Sequence, residues 1–316
     1  MDFLRKVIRL VVDAVYAFGD DDGWALASHI ALSALLALFP FLIVLTALAG
    51  FAGSKDVADS LATLLLGTWP KEVAEPLARE IHNVVGTTRG GVLTIGVVLS
   101  IYFAANGVDS LRIALNRAYN AKETRWIWLL KLESIGYVLV AAFALLALGF
   151  LIVLAPLAFA TWVKYAPWLA PLERQFTYWR YGIAGTVIVI SLVVAHKWLP
   201  AGRRSFRDIA PGVIVTLVLW LAAGILFGRY LAEFANNYVT MYAGLASAMI
   251  ALVFLYWTAT IFVYGGELNA AILHQRARRI AEEEAGRAAA AAEAALRQQG
   301  LFQKTMRWLG YEKRGR

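Results

Sequence analysis

The stretch IAPGVIVTLVLWLAAGILFG, Ile209–Gly228, carries no charged side chain. A helix needs roughly 20 mostly apolar residues to cross a ~30 Å hydrocarbon core. Five further charge-free runs flank it: Gly23–Ser54, Gly90–Val108, Ser134–Val163, Tyr181–His196 and Phe234–Gly266. The run at Tyr181–His196 is short, but Trp179 and Trp198 flank it and suit the two interfaces. In lipid a backbone must satisfy its own hydrogen bonds, so these runs predict helices and not sheet. The expected fold is an all-α integral membrane protein with six transmembrane helices, at about 25–53, 91–108, 135–162, 181–198, 209–228 and 242–264.

Composition agrees with that fold. Hydrophobic residues make up 60% of the 316-residue chain and charged residues only 16%, well below the ~25% of soluble domains. The net charge of +8 could suggest nucleic acid, but its distribution argues against that partner. Of the 30 Lys and Arg, 22 fall in the N-terminus, the second and fourth connections and the tail. The positive-inside rule places those segments, and both termini, on the cytoplasmic side of the membrane. The basic surplus then faces anionic lipid headgroups, so membrane lipids are the expected partners. There is no cysteine, which excludes disulfides and thiolate metal sites.

Residues 1–22 carry Phe3, Leu4, Val7, Ile8, Val11, Val12 and Val15 at helical spacing with charges between them. Two readings stand: an amphipathic helix in the inner interface, or a helix packed on the protein's own inner face. The outer connection 55–89 predicts two short capping helices, Val57–Leu66 and Glu72–Val85. Residues 23–273 form the expected transmembrane domain, and residues 274–316 a basic, Ala-rich cytoplasmic tail. In that tail the pairs Glu283–Arg287 and Glu293–Arg297 suit a solvated helix; a disordered tail is the other reading.

Ionisable groups at membrane depth are costly, so each needs a partner or water. Asn106, Asp109, Arg112 and Asn116 are spaced 3, 3 and 4, which puts them on one helical stripe. Asp109 and Arg112 can pair there. A second stripe, Arg229, Glu233, Asn236 or Asn237, and Thr240, follows the fifth run. Glu267 sits in the motif Gly265-Gly266-Glu267-Leu268-Asn269 at the end of the sixth run. Its carboxyl is expected to pair with Arg112 or to accept from Asn269. One reading makes it part of a proton or cation relay with His29; the other makes it a structural ion pair. Gly265 and Gly266 permit close helix approach, and with Pro40 they are hinge candidates. The segments Leu111–Tyr119 and Leu231–Tyr238 echo each other faintly, as an inverted 3+3 repeat would.

Enzyme chemistry finds little support. The four histidines, His29, His82, His196 and His274, are scattered, and no His-Glu-x-x-His or Walker-type loop occurs. No cofactor is expected.

Ala27-Ser28-His29 to Phe39-Pro40, the Asn116 and Tyr119 segment, Pro211-Gly212, Tyr238 to Gly244, and Gly265-Gly266-Glu267-Leu268-Asn269-Ala270 follow in order. In this the chain resembles the YihY/BrkB family of bacterial inner-membrane proteins from about Val11 to Leu273. It departs at His29-Ile30, where aromatic residues are common, and at Ala243, which interrupts a Tyr-Gly pair. The resemblance implies six spans, cytoplasmic termini and a role in envelope integrity. It also implies movement of lipids or other envelope components. A non-transporting membrane scaffold, docking envelope protein partners through the outer cap and the tail, is the alternative reading.

Overall fold

The computed structural model describes residues 2–51, 90–151, 155–242 and 245–309. The helices are α1 Asp2–Asp20, α2 Gly23–Phe51, α3 Gly90–Ala118, α4 Ile127–Gly149, α5 Ala155–Tyr165, α6 Glu173–Trp198, α7 Phe206–Tyr242 and α8 Ala246–Trp308. A short 3-10 segment, Pro167–Leu172, joins α5 to α6. No strand occurs among the described residues. Among the described residues, five helices, α3, α4, α6, α7 and α8, are long and apolar enough to cross a membrane, and Gly23–Leu38 of α2 is a shorter apolar helix. The outer connection 55–89 and its two expected helices lie outside the described residues.

Helix bounds differ from the hydropathy reading in instructive ways. The third run was expected to span 135–162; α4 covers Ile127–Gly149 and α5 covers Ala155–Tyr165, and residues 152–154 lie outside the described ones. The early start takes Trp128, Lys131 and Glu133 into the helix, because Lys131 and Glu133 find ionic partners there. Helix α6 likewise starts at Glu173, eight residues before the apolar run. Helix α7 carries on from the fifth run through Tyr242, so the Arg229 stripe continues the same helix.

Turn chemistry ends these helices where the sequence allows it. After α3, Asn120 has φ 48°. There its N–H bonds the Arg117 carbonyl and the Ala121 N–H bonds Asn116, both at 2.8 Å. Asparagine tolerates this left-handed cap better than most residues. Gly202, at φ 90°, closes the turn between α6 and α7.

The chain forms two compact units, Met1–Ala270 and Ala271–Arg316, one boundary falling three residues before the 273/274 division expected from sequence. In the first, α2 packs most extensively on α3, and α3 on α4. Its core gathers Phe18, Ala27, Ile30, Ala114, Leu115, Leu192, Leu199, Val213, Ala259, Phe262 and Val263. Trp220 of α7 adds a bond from Nε1 to the Thr258 carbonyl of α8, at 3.0 Å. The second unit is helical as far as Trp308 and almost wholly exposed among its described residues. Arg297 pairs with Glu293 there at 2.8 Å, so the tail has the solvated-helix form.

Helices α7 and α8 cross at glycines. A Cβ at Gly212 would collide with the Gly265 carbonyl and the Asn269 side chain. A Cβ at Gly265 would collide with Thr216 Oγ1, and one at Gly266 would meet Leu115 Cδ2 of α3 at 2.5 Å. Small residues are what let membrane helices approach this closely. Gly265→Val is therefore expected to destabilise the detergent-solubilised protein by about 1–3 kcal/mol, read as a lower thermal midpoint. Gly286→Ala, where a Cβ meets nothing within 4 Å, is expected to hold or raise that midpoint.

Candidate functional site

Two polar clusters lie in the first unit, and they differ in how completely their groups are matched. The first is built on α3. Asn106, Asp109, Arg112 and Asn116 share a stripe, and the start of α4 and the loop between the two helices fold onto it. Arg112 is 3% exposed. It donates to Asp109 at 2.8 Å, to Ser134 Oγ at 2.9 Å and to the Leu130 carbonyl at 3.3 Å. Glu133 stands 3.8 Å from it. Asp109 also accepts from Ser134 at 2.6 Å and from Lys131, whose ammonium reaches Asn106 Oδ1 at 3.1 Å as well.

The same network continues outward. Arg125 donates to Glu133 at 2.8 Å, grips both oxygens of Glu123 at 2.8 and 2.7 Å, and reaches the Leu199 carbonyl at 3.2 Å. Asn116 donates to Glu123 at 3.2 Å and accepts from the Ala201 N–H at 2.6 Å. Asp109, Glu123 and Glu133 thus meet Arg112, Arg125 and Lys131 in a charge-balanced set. The Arg125 guanidinium holds the Glu123 carboxyl at about 2, against a smaller upward push from burial, and Glu123 in turn raises Arg125.

The second cluster surrounds the glycine crossing. Glu267, Asn269, His196 and Thr216 are all buried, none more than 1% exposed. Asn269 Oδ1 accepts from the Gly212 N–H at 2.6 Å. The Asn269 amide nitrogen, the Thr216 hydroxyl and one carboxyl oxygen of Glu267 have no hydrogen-bond partner. Neither ring nitrogen of His196 closes a side-chain hydrogen bond, and its ring meets Phe262 edge-on at 4.5 Å between centroids. Tyr119, at the end of α3, borders the group beneath the Arg204 guanidinium, 3.8 Å above its ring. Its hydroxyl closes no hydrogen bond of normal geometry, although the Asn269 amide is near enough to favour the phenolate. Burial outweighs that effect and pushes the phenol up to about 12; burial also lowers Arg204.

The expected pairing of Glu267 with Arg112 does not form. Asp109 on α3 and Glu133 and Ser134 on α4 already engage Arg112, and no ion pair to Glu267 occurs among the described residues. Nor does Glu267 accept from Asn269, whose amide oxygen serves Gly212. His29 is exposed and shares a 2.5 Å hydrogen bond with Ser110, which in turn donates to the Asn106 carbonyl. No hydrogen bond joins His29 to Glu267 among the described residues. Arg229 and Glu233 are exposed on α7, and the side chains of residues 235–242 lie outside the described ones. Pro40 lies inside α2, which continues through it. Gly265 and Gly266 lie inside α8 at packed contacts.

Sequence reasoning passed over His196, Thr216, Tyr119, Lys131, Glu133 and Ser134. Lys131 and Glu133 carried a signal, two opposite charges just ahead of an apolar run. Thr216 carried none, since a lone threonine in an apolar helix is common. Among the described residues, no group of three or more His, Cys, Asp or Glu could hold a metal ion.

Among the described residues, these features are one charge-balanced ionic lattice and one buried carboxyl, on a chain with several helices apolar enough to cross a membrane. The sequence matches the family described as virulence factor BrkB over residues 14–293. The chain belongs to that family of membrane proteins. It is 24% identical to a putative ribonuclease-like protein, YfkH, of Bacillus subtilis, across 81% of this chain and 91% of that one. It is 24% identical to a UPF0761 membrane protein of Rhodospirillum centenum, across 88% of this chain and 61% of the relative. It is 25% identical to the UPF0761 membrane protein YihY of Salmonella arizonae, across 73% and 76% respectively. No solved structure matches.

Removing Arg112 takes away the one buried cation of the lattice and leaves the partly exposed Asp109 to Lys131 and Glu133 to Arg125. Arg112→Ala is expected to cost about 1–3 kcal/mol of stability, measured by thermal unfolding in detergent. Glu123 carries a pH signature. Its pKa is lower folded than unfolded, so its contribution is complete above the usual value of 4.5 and is lost as pH falls from there through about 2. Thermal midpoints recorded from pH 5 to 2 are expected to fall less steeply in Glu123→Gln than in the parent protein.

Proposed function

We propose that this membrane protein crosses the bacterial inner membrane six times, with both termini cytoplasmic, and translocates a lipid or other amphipathic envelope component. Five long apolar helices and the apolar start of α2 support the span count. The bias of basic residues supports the orientation. The inverted 3+3 arrangement belongs to the same proposal: α3 and α7 each run on past their apolar stretches into the matching segments at 111–119 and 231–238.

One observation carries the translocator reading. Glu267 is a buried carboxyl with no bonded Lys, Arg or His among the described residues, beside Asn269 and Thr216, which also keep unsatisfied polar atoms. Buried polar groups are normally hydrogen-bonded, and leaving one unpaired costs about 1–3 kcal/mol. In membrane proteins, ionisable groups held inside a helix bundle mark substrate and ion pathways. The Arg112 lattice supports a different role for its own members. It is matched within itself, which suits a brace between α3, α4 and the α6–α7 turn. That balance is also what a non-transporting scaffold for envelope integrity would use, and it keeps the scaffold as the second reading. The ribonuclease-like name of the Bacillus relative finds no support in the placement of His29, His196 and His274 on separate helices.

The test is flux of dye-labelled phospholipid in reconstituted vesicles. The parent protein is expected to move label faster than protein-free vesicles. Glu267→Gln is expected to lose at least tenfold of that flux with an unchanged thermal midpoint. Flux equal to the parent's in Glu267→Gln would remove Glu267 from the pathway. No flux above empty vesicles in the parent would overturn translocation and leave the scaffold.

A further inference from the structure

Helix α1 carries three stripes, each at i, i+4 spacing. Leu10, Ala14 and Phe18 form the first; it turns toward the protein, with Ala14 at 0% and Phe18 at 3% exposure. Leu4, Ile8 and Val12, with Val7, Val11 and Val15 beside them, form the second. These side chains are aliphatic and exposed, Leu4 at 64%, Ile8 at 54% and Val15 at 52%. Arg5, Arg9 and Asp13 form the third, polar and exposed. A helix at ~100° per residue keeps these stripes apart along its length. A water-soluble helix packed on its own protein would have turned the second stripe inward. This one buries the first stripe alone.

The helix is fixed in place by named contacts. Phe18 enters the core with Ala27, Ile30 and Val263, and its ring meets Trp24 edge-on at 4.8 Å. Tyr264 of α8 donates to the Val11 carbonyl at 3.4 Å. Arg117 of α3 pairs with Asp22 in the following turn at 2.8 Å. Trp24, half-exposed at the start of α2, is the type of residue that marks a membrane–water boundary. Phe18 therefore holds the end of α1 at the level of that boundary. The exposed aliphatic stripe of α1 is continuous in kind with the exposed Leu32 and Leu36 of α2.

We infer that α1 lies in the plane of the membrane, its Leu4–Ile8–Val12 face sunk among acyl chains of one leaflet and its Arg5–Arg9 face among anionic headgroups. Hydrocarbon is the occupant that this aliphatic face fits, and the arginines bordering it fit phosphate oxygens. A bilayer supplies both at one depth. A protein partner would need an apolar groove with acidic rims to do the same. The binding is independent of whether the protein moves any substrate.

The absence of cysteine makes single-site labelling clean. Nitroxides placed at Ile8→Cys and at Arg9→Cys in the full chain, reconstituted in phosphatidylcholine–phosphatidylglycerol vesicles, report accessibility to oxygen and to a water-soluble nickel chelate. The Ile8 label is expected to favour oxygen strongly and to be shielded from nickel; the Arg9 label is expected to show the reverse. Replacing phosphatidylglycerol by phosphatidylcholine is expected to raise nickel access at both positions. Equal nickel access at the two positions overturns the inference. So does an Ile8 label closed to both reagents, because protein and not lipid would then cover that face. An insensitivity of both labels to phosphatidylglycerol overturns the assignment of Arg5 and Arg9 to anionic headgroups.

Discussion

Three missing Cβ atoms set the spacing of the bundle. Gly212 and Gly265 let α7 and α8 meet backbone to backbone, and Gly266 admits Leu115 from α3. Hydrocarbon chains are as apolar as leucine, so membrane helices gain little by simply hiding apolar surface from lipid. Close packing and hydrogen bonding must hold them instead. The crossing offers both, since the approach that glycine permits also brings the Asn269 amide oxygen to the Gly212 N–H at 2.6 Å. The rest of the site follows from this contact. His196 and Thr216 face Gly265, and Glu267 comes two residues after it on the same helix.

The two polar clusters answer one cost in opposite ways. Around Arg112, every charge has an opposite neighbour, and the lattice ties α3 to α4 and to the turn at Leu199 and Ala201. Breaking it leaves charge behind, so it locks the arrangement. Around Glu267, donors and acceptors lie close to one another without saturating one another. A lattice whose charges are all paired resists change, even though the buried Arg112 Nε closes no hydrogen bond, while a buried carboxyl without a cation can still gain by meeting something new. Of the candidates read from the sequence, Arg112, Asn106, Asp109 and Asn116 belong to the ionic lattice, and Glu267 lies outside it among the described residues.

Much of the fold was legible in charge-free runs, and the reason is physical. Hydrocarbon forbids an unpaired backbone, so a long apolar run leaves the helix as its one solution. The stripe at Asn106–Asn116 was legible too, because helical spacing alone puts those residues on one face. The partner of Arg112 was not. Arg112 reaches Ser134 across 22 positions, and Asn116 reaches Ala201 across 85; no spacing rule connects such pairs. Helix ends were less legible: Lys131 and Glu133, charged residues ahead of an apolar run, lie inside α4 and meet ionic partners there. Hydropathy scores a charge by its type and not by its neighbours.

By itself, then, the sequence determined that the chain is helical and membrane-embedded, that its basic residues gather on alternate connections, and that two glycines precede one buried acid. Those properties depend on composition and on spacing along one helix, where each residue acts through its own chemistry. Which helix faces Gly265, which cation meets Asp109, and that Glu267 meets none among the described residues are properties of pairs far apart in the chain. Only the packing of α3, α4, α6, α7 and α8 decides them, because a contact across a helix crossing is set by where the backbones can come close.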